Sequence, residues 1–212
     1  DGTVRAAGNN EDGQCDIQDW DDVVSIGTGY RHTVGVLKNG FMITTGNNEA
    51  RQCNVLGYRN VTAAKAGLLH TVCLRNDGSV FAVGANPFGQ CHVHGWSDIA
   101  AIDAGLIYTL GLQTDGHVLA VGDNSFGQCD VQSWSIIIDI AAGMTHAVGL
   151  RADGTLAASG SNAYLQTECQ DWTDICAIAA GARHTVGLRK DGTLVATGDN
   201  AAGQCDVHKL MR

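Results

Sequence analysis

An all-β fold of repeated four-stranded antiparallel blades is predicted by three observations. A residue pattern recurs every 38 positions without a gap, 28 glycines stand against one proline, and a turn-forming dipeptide recurs at one place in the repeats. Gly2, Gly40, Gly78, Gly116, Gly154 and Gly192 fix the register, and Gly8, Asn10 and Gln14 recur with it through Gly198, Asn200 and Gln204. Trp20, Tyr58, Trp96, Trp134 and Trp172 form one further column; His32, His70, His146 and His184 form another, with Tyr108 in the remaining place. A helical repeat is excluded, because this glycine load and the absence of a 3.6-residue period would destabilise its helices.

Each element can be justified in order on the fourth unit. Residues 136–142 are an apolar strand A, 146–150 strand B, 155–159 strand C and 166–170 strand D, so strands recur about every ten residues as all-β structure requires. Strands B and C meet at Asp153-Gly154, matched by Asn39-Gly40, Asp77-Gly78, Asp115-Gly116 and Asp191-Gly192, dipeptides that suit a type I′ hairpin. Four antiparallel strands per unit describe a β-propeller blade. The expected organisation is a single domain, 1–212, with an orphan C–D hairpin at 1–18 and blades near 22–56, 60–94, 98–132, 136–170 and 174–208. This gives five full repeats plus a half repeat, or five to six blades, and closure must use the incomplete blade, a missing segment or another chain. Exposed sheet edges make self-association through the incomplete blade an expected hazard.

The segment DICAIAAGARHTVGLRK followed by DGTLVATGDNAAGQCDV resembles the repeat of the regulator of chromosome condensation family, in its AG-x-x-HT and G-x-N-x-x-GQ signatures. The resemblance covers essentially the whole chain and implies an RCC1-like propeller; the compact 38-residue unit looks more like the bacterial members than the longer eukaryotic repeats. The functions it implies are diverse. They include exchange on a small GTPase, chromatin binding, ubiquitin-ligase modules and inhibition of a β-lactamase, because a shared fold does not fix function.

Composition narrows the choice. The formal net charge is −9, and residues 76–150 hold no Lys or Arg but seven aspartates, which argues against nucleic acid and anionic membranes as partners. No apolar run is long enough to span a bilayer as a helix. The chain starts at Asp1 without a leader, which reads as processing or trimming, so its compartment is unknown. Eight cysteines without a disulfide framework favour a reducing, cytoplasmic compartment or an anaerobic source.

No enzyme, cofactor or metal site is expected. Cys15, Cys53, Cys91, Cys129 and Cys205 share one column whose radial placement keeps them too far apart to pair, and their spacing fits no zinc pattern; they read as small fillers between blades. A histidine repeated in four units reads as architecture, a buried hydrogen bond from strand B to a neighbouring loop. His92 and His94 alternate onto one side of strand D but correspond to ordinary polar residues elsewhere, including Asp206 and His208.

The variable positions carry the functional expectation, since repeat proteins recognise partners through loops free of scaffold duties. The A–B turns read Tyr30-Arg31, Leu68-Leu69, Leu106-Ile107, Met144-Thr145 and Ala182-Arg183, and the C–D loops add Phe88, Phe126 and Tyr164 in one column. Both sets emerge on one face, as an apolar strip in the acidic sector. A second possibility is that these side chains turn inward and plug the central channel. The leading reading is a noncatalytic scaffold that binds a protein partner, one with a basic surface, through Tyr30, Arg31, Leu68, Leu69, Phe88, Leu106, Ile107, Phe126, Met144, Tyr164 and Arg183. The alternatives are a regulator of a small GTPase or chromatin factor, implied by the resemblance, and a carbohydrate-binding propeller lectin.

Overall fold

The computed structural model describes residues 2–207, so the expected end of the last blade at His208 lies outside the described residues. Among the described residues fifteen strands form five sheets of three, not four. They are β1 (Val23–Thr28), β2 (His32–Leu37) and β3 (Met42–Gly46); β4 (Val61–Ala66), β5 (His70–Arg75) and β6 (Val80–Gly84); and β7 (Ile99–Ala104), β8 (Tyr108–Gln113) and β9 (Val118–Gly122). The last two sheets are β10 (Ile137–Ala142), β11 (His146–Arg151) and β12 (Leu156–Gly160), then β13 (Ile175–Ala180), β14 (His184–Arg189) and β15 (Leu194–Gly198). Each is an antiparallel meander in the order A-B-C, with one register shift near the start of strand A.

Strand D is absent because its backbone is satisfied locally. The Oδ1 atoms of Asn48, Asn86 and Asn124 accept the amides of Cys53, Cys91 and Cys129 at 2.9, 2.8 and 2.7 Å, folding each G-x-N-x-x-GQ segment into a compact loop instead of a ladder. The cysteine thiols complete the loop by donating to carbonyls six residues back, as Cys53 Sγ does to Asn47 O at 3.3 Å, and Cys129 also packs in the core between the third and fourth sheets. All eight cysteines are free. Residues 2–7 form no strand either, since no strand B lies beside them among the described residues, but the loop that follows keeps its hydrogen bonds, with Cys15 N donating to Asn10 Oδ1 at 2.7 Å.

The B–C connections are three-residue loops, not type I′ turns. Gly78 N donates to Arg75 O at 3.1 Å, Gly78 alone has positive φ (78°), and Arg75 N donates to Ser79 O at 2.9 Å, the pattern of a type I turn closed by a glycine bulge. Asp77 Oδ1 accepts Ser79 N at 2.9 Å and so selects this geometry.

The core lies between successive sheets. Val34, Val36 and Met42 of the first sheet pack on Val61, Ala64 and Cys73 of the second, and the same layer recurs along the chain. Trp20, Trp134 and Trp172 lie over Gly35, Gly149 and Gly187, where an added Cβ would fall 2.8–3.0 Å from the indole. Hydrogen bonds of three kinds staple the interfaces, except that between the third and fourth sheets Ala147 replaces the threonine and the Tyr108 hydroxyl donates to His146 O instead. Ile99 N donates to Gly78 O at 3.1 Å, Thr71 Oγ1 donates to Gln52 O at 2.8 Å, and His32 Nε2 meets Thr71 Oγ1 at 2.9 Å. The histidines therefore join strand B to the next strand B, not to a loop; His70 meets Thr109 at 3.1 Å and His146 meets Thr185 at 3.0 Å.

Candidate functional site

The A–B turns gather at one end of the molecule because each strand A ends in an Ala-Gly or Thr-Gly whose glycine has no room for a side chain. A Cβ on Gly29 would overlap the imidazole of His32 and the carbonyl of Gly67. Neighbouring turns are hooked together through the backbone, Leu68 N to Leu106 O at 2.9 Å and Leu106 N to Met144 O at 3.4 Å. Tyr30, Leu68, Leu106, Met144 and Ala182 thereby line one mostly apolar mouth of about 230 Å³, to which all five sheets contribute. Leu69 and Ile107 do not line it. They are half-buried, and their carbonyls anchor the C–D loops by accepting Ala85 N at 2.8 Å and Asp123 N at 3.0 Å.

The C–D loops present the aromatic column outward. Gln90, Gln128 and Gln166, each 1% exposed or less, turn their Oε1 atoms onto the amides of Phe88, Phe126 and Tyr164 at 3.0, 3.0 and 2.9 Å. The backbone is clamped two residues away from the glutamine, and the aromatic side chain takes no part in the clamp. Phe88 is 53% exposed, Phe126 58% and Tyr164 41%, and none lines the axial mouth, so they do not plug the channel. Arg183 donates to the Tyr164 hydroxyl at 3.0 Å with its guanidinium over the ring, and Arg31 lies beside the Tyr30 ring and 3.7 Å from Asp12.

Below the mouth, the strand A faces of all five sheets surround a polar axial cavity of about 490 Å³. Lys65 Nζ and Asp103 Oδ1 meet there at 4.0 Å, with Asp139 on the next strand A. Burial pushes the Asp103 carboxyl upward, opposed by Lys65 and by amides including Ala142 N, which donates to its Oδ2 at 2.8 Å; burial also raises Asp139. Lys65 and Asp103 stand where other repeats carry Gly27, Ala141 or Ala179, and Asp139 where they carry Ser25, Ala63, Ala101 or Ala177; the sequence shows charges in apolar strands but not that they are neighbours. Among the described residues no three His, Cys, Asp or Glu side chains cluster as a metal site. The histidine column faces interfaces, not the cavity, and burial lowers His32, His70 and His146 to about 4.

Five stapled antiparallel sheets around one axis define a repeat protein similar to β-propellers. Two of its repeats, at residues 61–90 and 175–204, match the regulator of chromosome condensation (RCC1) repeat. The fold is similar to that of human WBSCR16, with TM-score 0.71 and 20% identity over 83% of this chain and 61% of that one. It is also similar to yeast RCC1 (Prp20) in complex with Kap60, with TM-score 0.69 and 18% identity over 84% of this chain and 56% of that one. The ectodomain of the Physcomitrella patens receptor kinase CR4 gives TM-score 0.70 and 22% identity over 84% and 53%. The chain thus spans less than two thirds of each of these relatives. No curated protein sequence matches it significantly.

Proposed function

We propose that the chain is a noncatalytic scaffold that binds a protein partner through the face carrying the A–B turns and C–D loops. The observation that supports it most directly is the glutamine clamp, which fixes the backbone under Phe88, Phe126 and Tyr164 and leaves three large aromatic side chains in solvent. Exposed aromatics on a rigid frame beside an apolar mouth have the makeup of an interface core. Tyr30, Leu68, Leu106 and Met144 supply the mouth, Arg31 and Arg183 its charged margin, and Leu69 and Ile107 support from beneath. The reading keeps 1–212 as one domain with blades near 22–56, 60–94, 98–132, 136–170 and 174–208, and a partner with a basic surface suits the net charge of −9. The yeast RCC1 structure was solved with a bound protein, Kap60, which supports a protein-binding role for the fold without naming a partner here.

Affinity capture from source lysate identifies the partner, and the purified pair provides the test. Phe88→Ala with Phe126→Ala is expected to weaken the complex by ~2 kcal/mol or more, with the thermal midpoint unchanged. Full affinity in the folded double variant would move the interface away from this face.

A further inference from the structure

Successive sheets meet through one repeating set of contacts, and the trailing face of the fifth sheet carries that set unfilled. His32, His70 and His146 each reach a threonine of the next sheet, whereas His184, half-buried on β14, has no side-chain partner among the described residues. A Cβ on Gly40, Gly78, Gly116 or Gly154 would lie 3.2 or 3.3 Å from the first residues of the following repeat, but one on Gly192 would meet nothing within 4 Å among the described residues. The turn amides of Leu68, Leu106 and Met144 donate to the next turn, and that of Ala182 has no such acceptor among the described residues. Gln52 O, Gln90 O and Gln166 O accept threonine hydroxyls, and Gln204 O has no counterpart donor there. Val34, Val72, Leu110 and Val148 are fully buried at this layer, while Val186 is half-exposed.

We propose that this face is a docking site for strands A and B of a further RCC1-type repeat, a β-hairpin of the kind formed by residues 174–190. The occupant is defined by chemistry that recurs at the interfaces inside the chain, with Tyr108 and Ala147 replacing the histidine and threonine only between the third and fourth sheets. It needs a free amide at the start of strand A for Gly192 O, a turn carbonyl for Ala182 N, and a strand B threonine placed between His184 Nε2 and Gln204 O. A hairpin with the sequence of residues 174–190 carries Arg183, Arg189 and Lys190 against one aspartate, a favourable balance toward a chain of net charge −9. A second copy fits poorly. Its leading edge is already capped, with Val23 N on Gly2 O at 3.1 Å and Thr33 Oγ1 on Gln14 O at 2.8 Å. Five sheets also already surround one cavity, so a copy docked in the same register would drive its later sheets into the first. The site lies at the end of the sheet series and is independent of the loop-face reading.

The test adds a synthetic peptide of residues 174–190, under reducing conditions, to the isotope-labelled full chain. Saturable binding is expected, with exchange of the Ala182 amide slowed about tenfold and a shift in the His184 ring-nitrogen signal. A Thr185→Val peptide should bind about fivefold more weakly, as should a His184→Ala chain whose thermal midpoint is unchanged. Absence of saturable binding, or binding indifferent to both substitutions, overturns the proposal. Sedimentation showing that the chain alone self-associates through the same amides would assign the face to a second copy and overturn it equally.

Discussion

Ile136 holds φ 59° at the place where Asp22, Asn60, Asp98 and Asp174 hold 55–59°, and it is 66% exposed. A β-branched side chain in the left-handed region is strained, while Asn and Asp tolerate it. Ile136→Asn is therefore expected to raise stability by ~1 kcal/mol, read as a higher denaturant midpoint at unchanged slope. A second residue-scale consequence follows from His32, His70 and His146, which burial lowers from 6.5 to about 4. Because the folded value is the depressed one, their stabilisation is complete above pH 6.5 and is lost as pH falls from 6.5 toward 4, where the unfolded chain takes up protons that the folded chain refuses. Three such groups give a slope of up to ~4 kcal/mol per pH unit. Asp103 and Asp139, shifted upward by burial, oppose part of it. A His146→Gln variant should flatten the slope by about a third, measured by denaturant titration between pH 4 and 6.5; an unchanged slope would remove the histidines as its source.

At the scale of the element, the tryptophan column and the strand-B glycines are one device. Trp134, 5% exposed, fills the space that Gly149 leaves empty; in the second repeat Tyr58 stands at the tryptophan position, Cys73 at the glycine position, and Tyr58 stacks on Phe81 at 3.9 Å. Trp134→Ala is expected to destabilise the protein by ~3–5 kcal/mol, and an unchanged melting temperature would show that the ring contributes no packing. Strands A, B and C were legible to within a residue or two, because apolar alternation and flanking glycines act through the local chain. Strand D was not. Cys-Asp-Val and its relatives alternate like a strand, and what prevents pairing is the capture of their amides by Asn10 and its repeats five residues back, which periodicity cannot register. The hairpin type was misread for a similar reason. Both turn types accept Asp-Gly, and the choice rests on where the aspartate oxygen points.

At the scale of the molecule, the charge is unevenly distributed, with no cation between residues 76 and 150 in the sector that holds Phe88 and Phe126. A basic partner docking there should associate more slowly as salt rises, while dissociation changes less. Stopped-flow rates independent of ionic strength would remove steering from the proposed interface. The aromatic positions of the candidate site were visible because each interrupts a loop that is otherwise constant. That Leu68 and Leu106 reach the mouth while Leu69 and Ile107 do not depends on the way the turn rolls over its glycine, and the meeting of Lys65 with Asp103 depends on two strands 38 residues apart in sequence.

The clamp seen at Gln90, Gln128 and Gln166 also acts from Gln14, Gln52 and Gln204, which hold the amides of Asp12, Ala50 and Ala202 at 2.9–3.0 Å. At six places around the molecule the main chain is held by a side chain that never inspects its neighbour's identity. Acidic, small and aromatic residues already occupy those places without altering the frame. On the proposed loop-face reading, specificity in such an architecture is modular: exchanging Ala50 with Phe88 should relocate the proposed surface by one sector at little cost to folding.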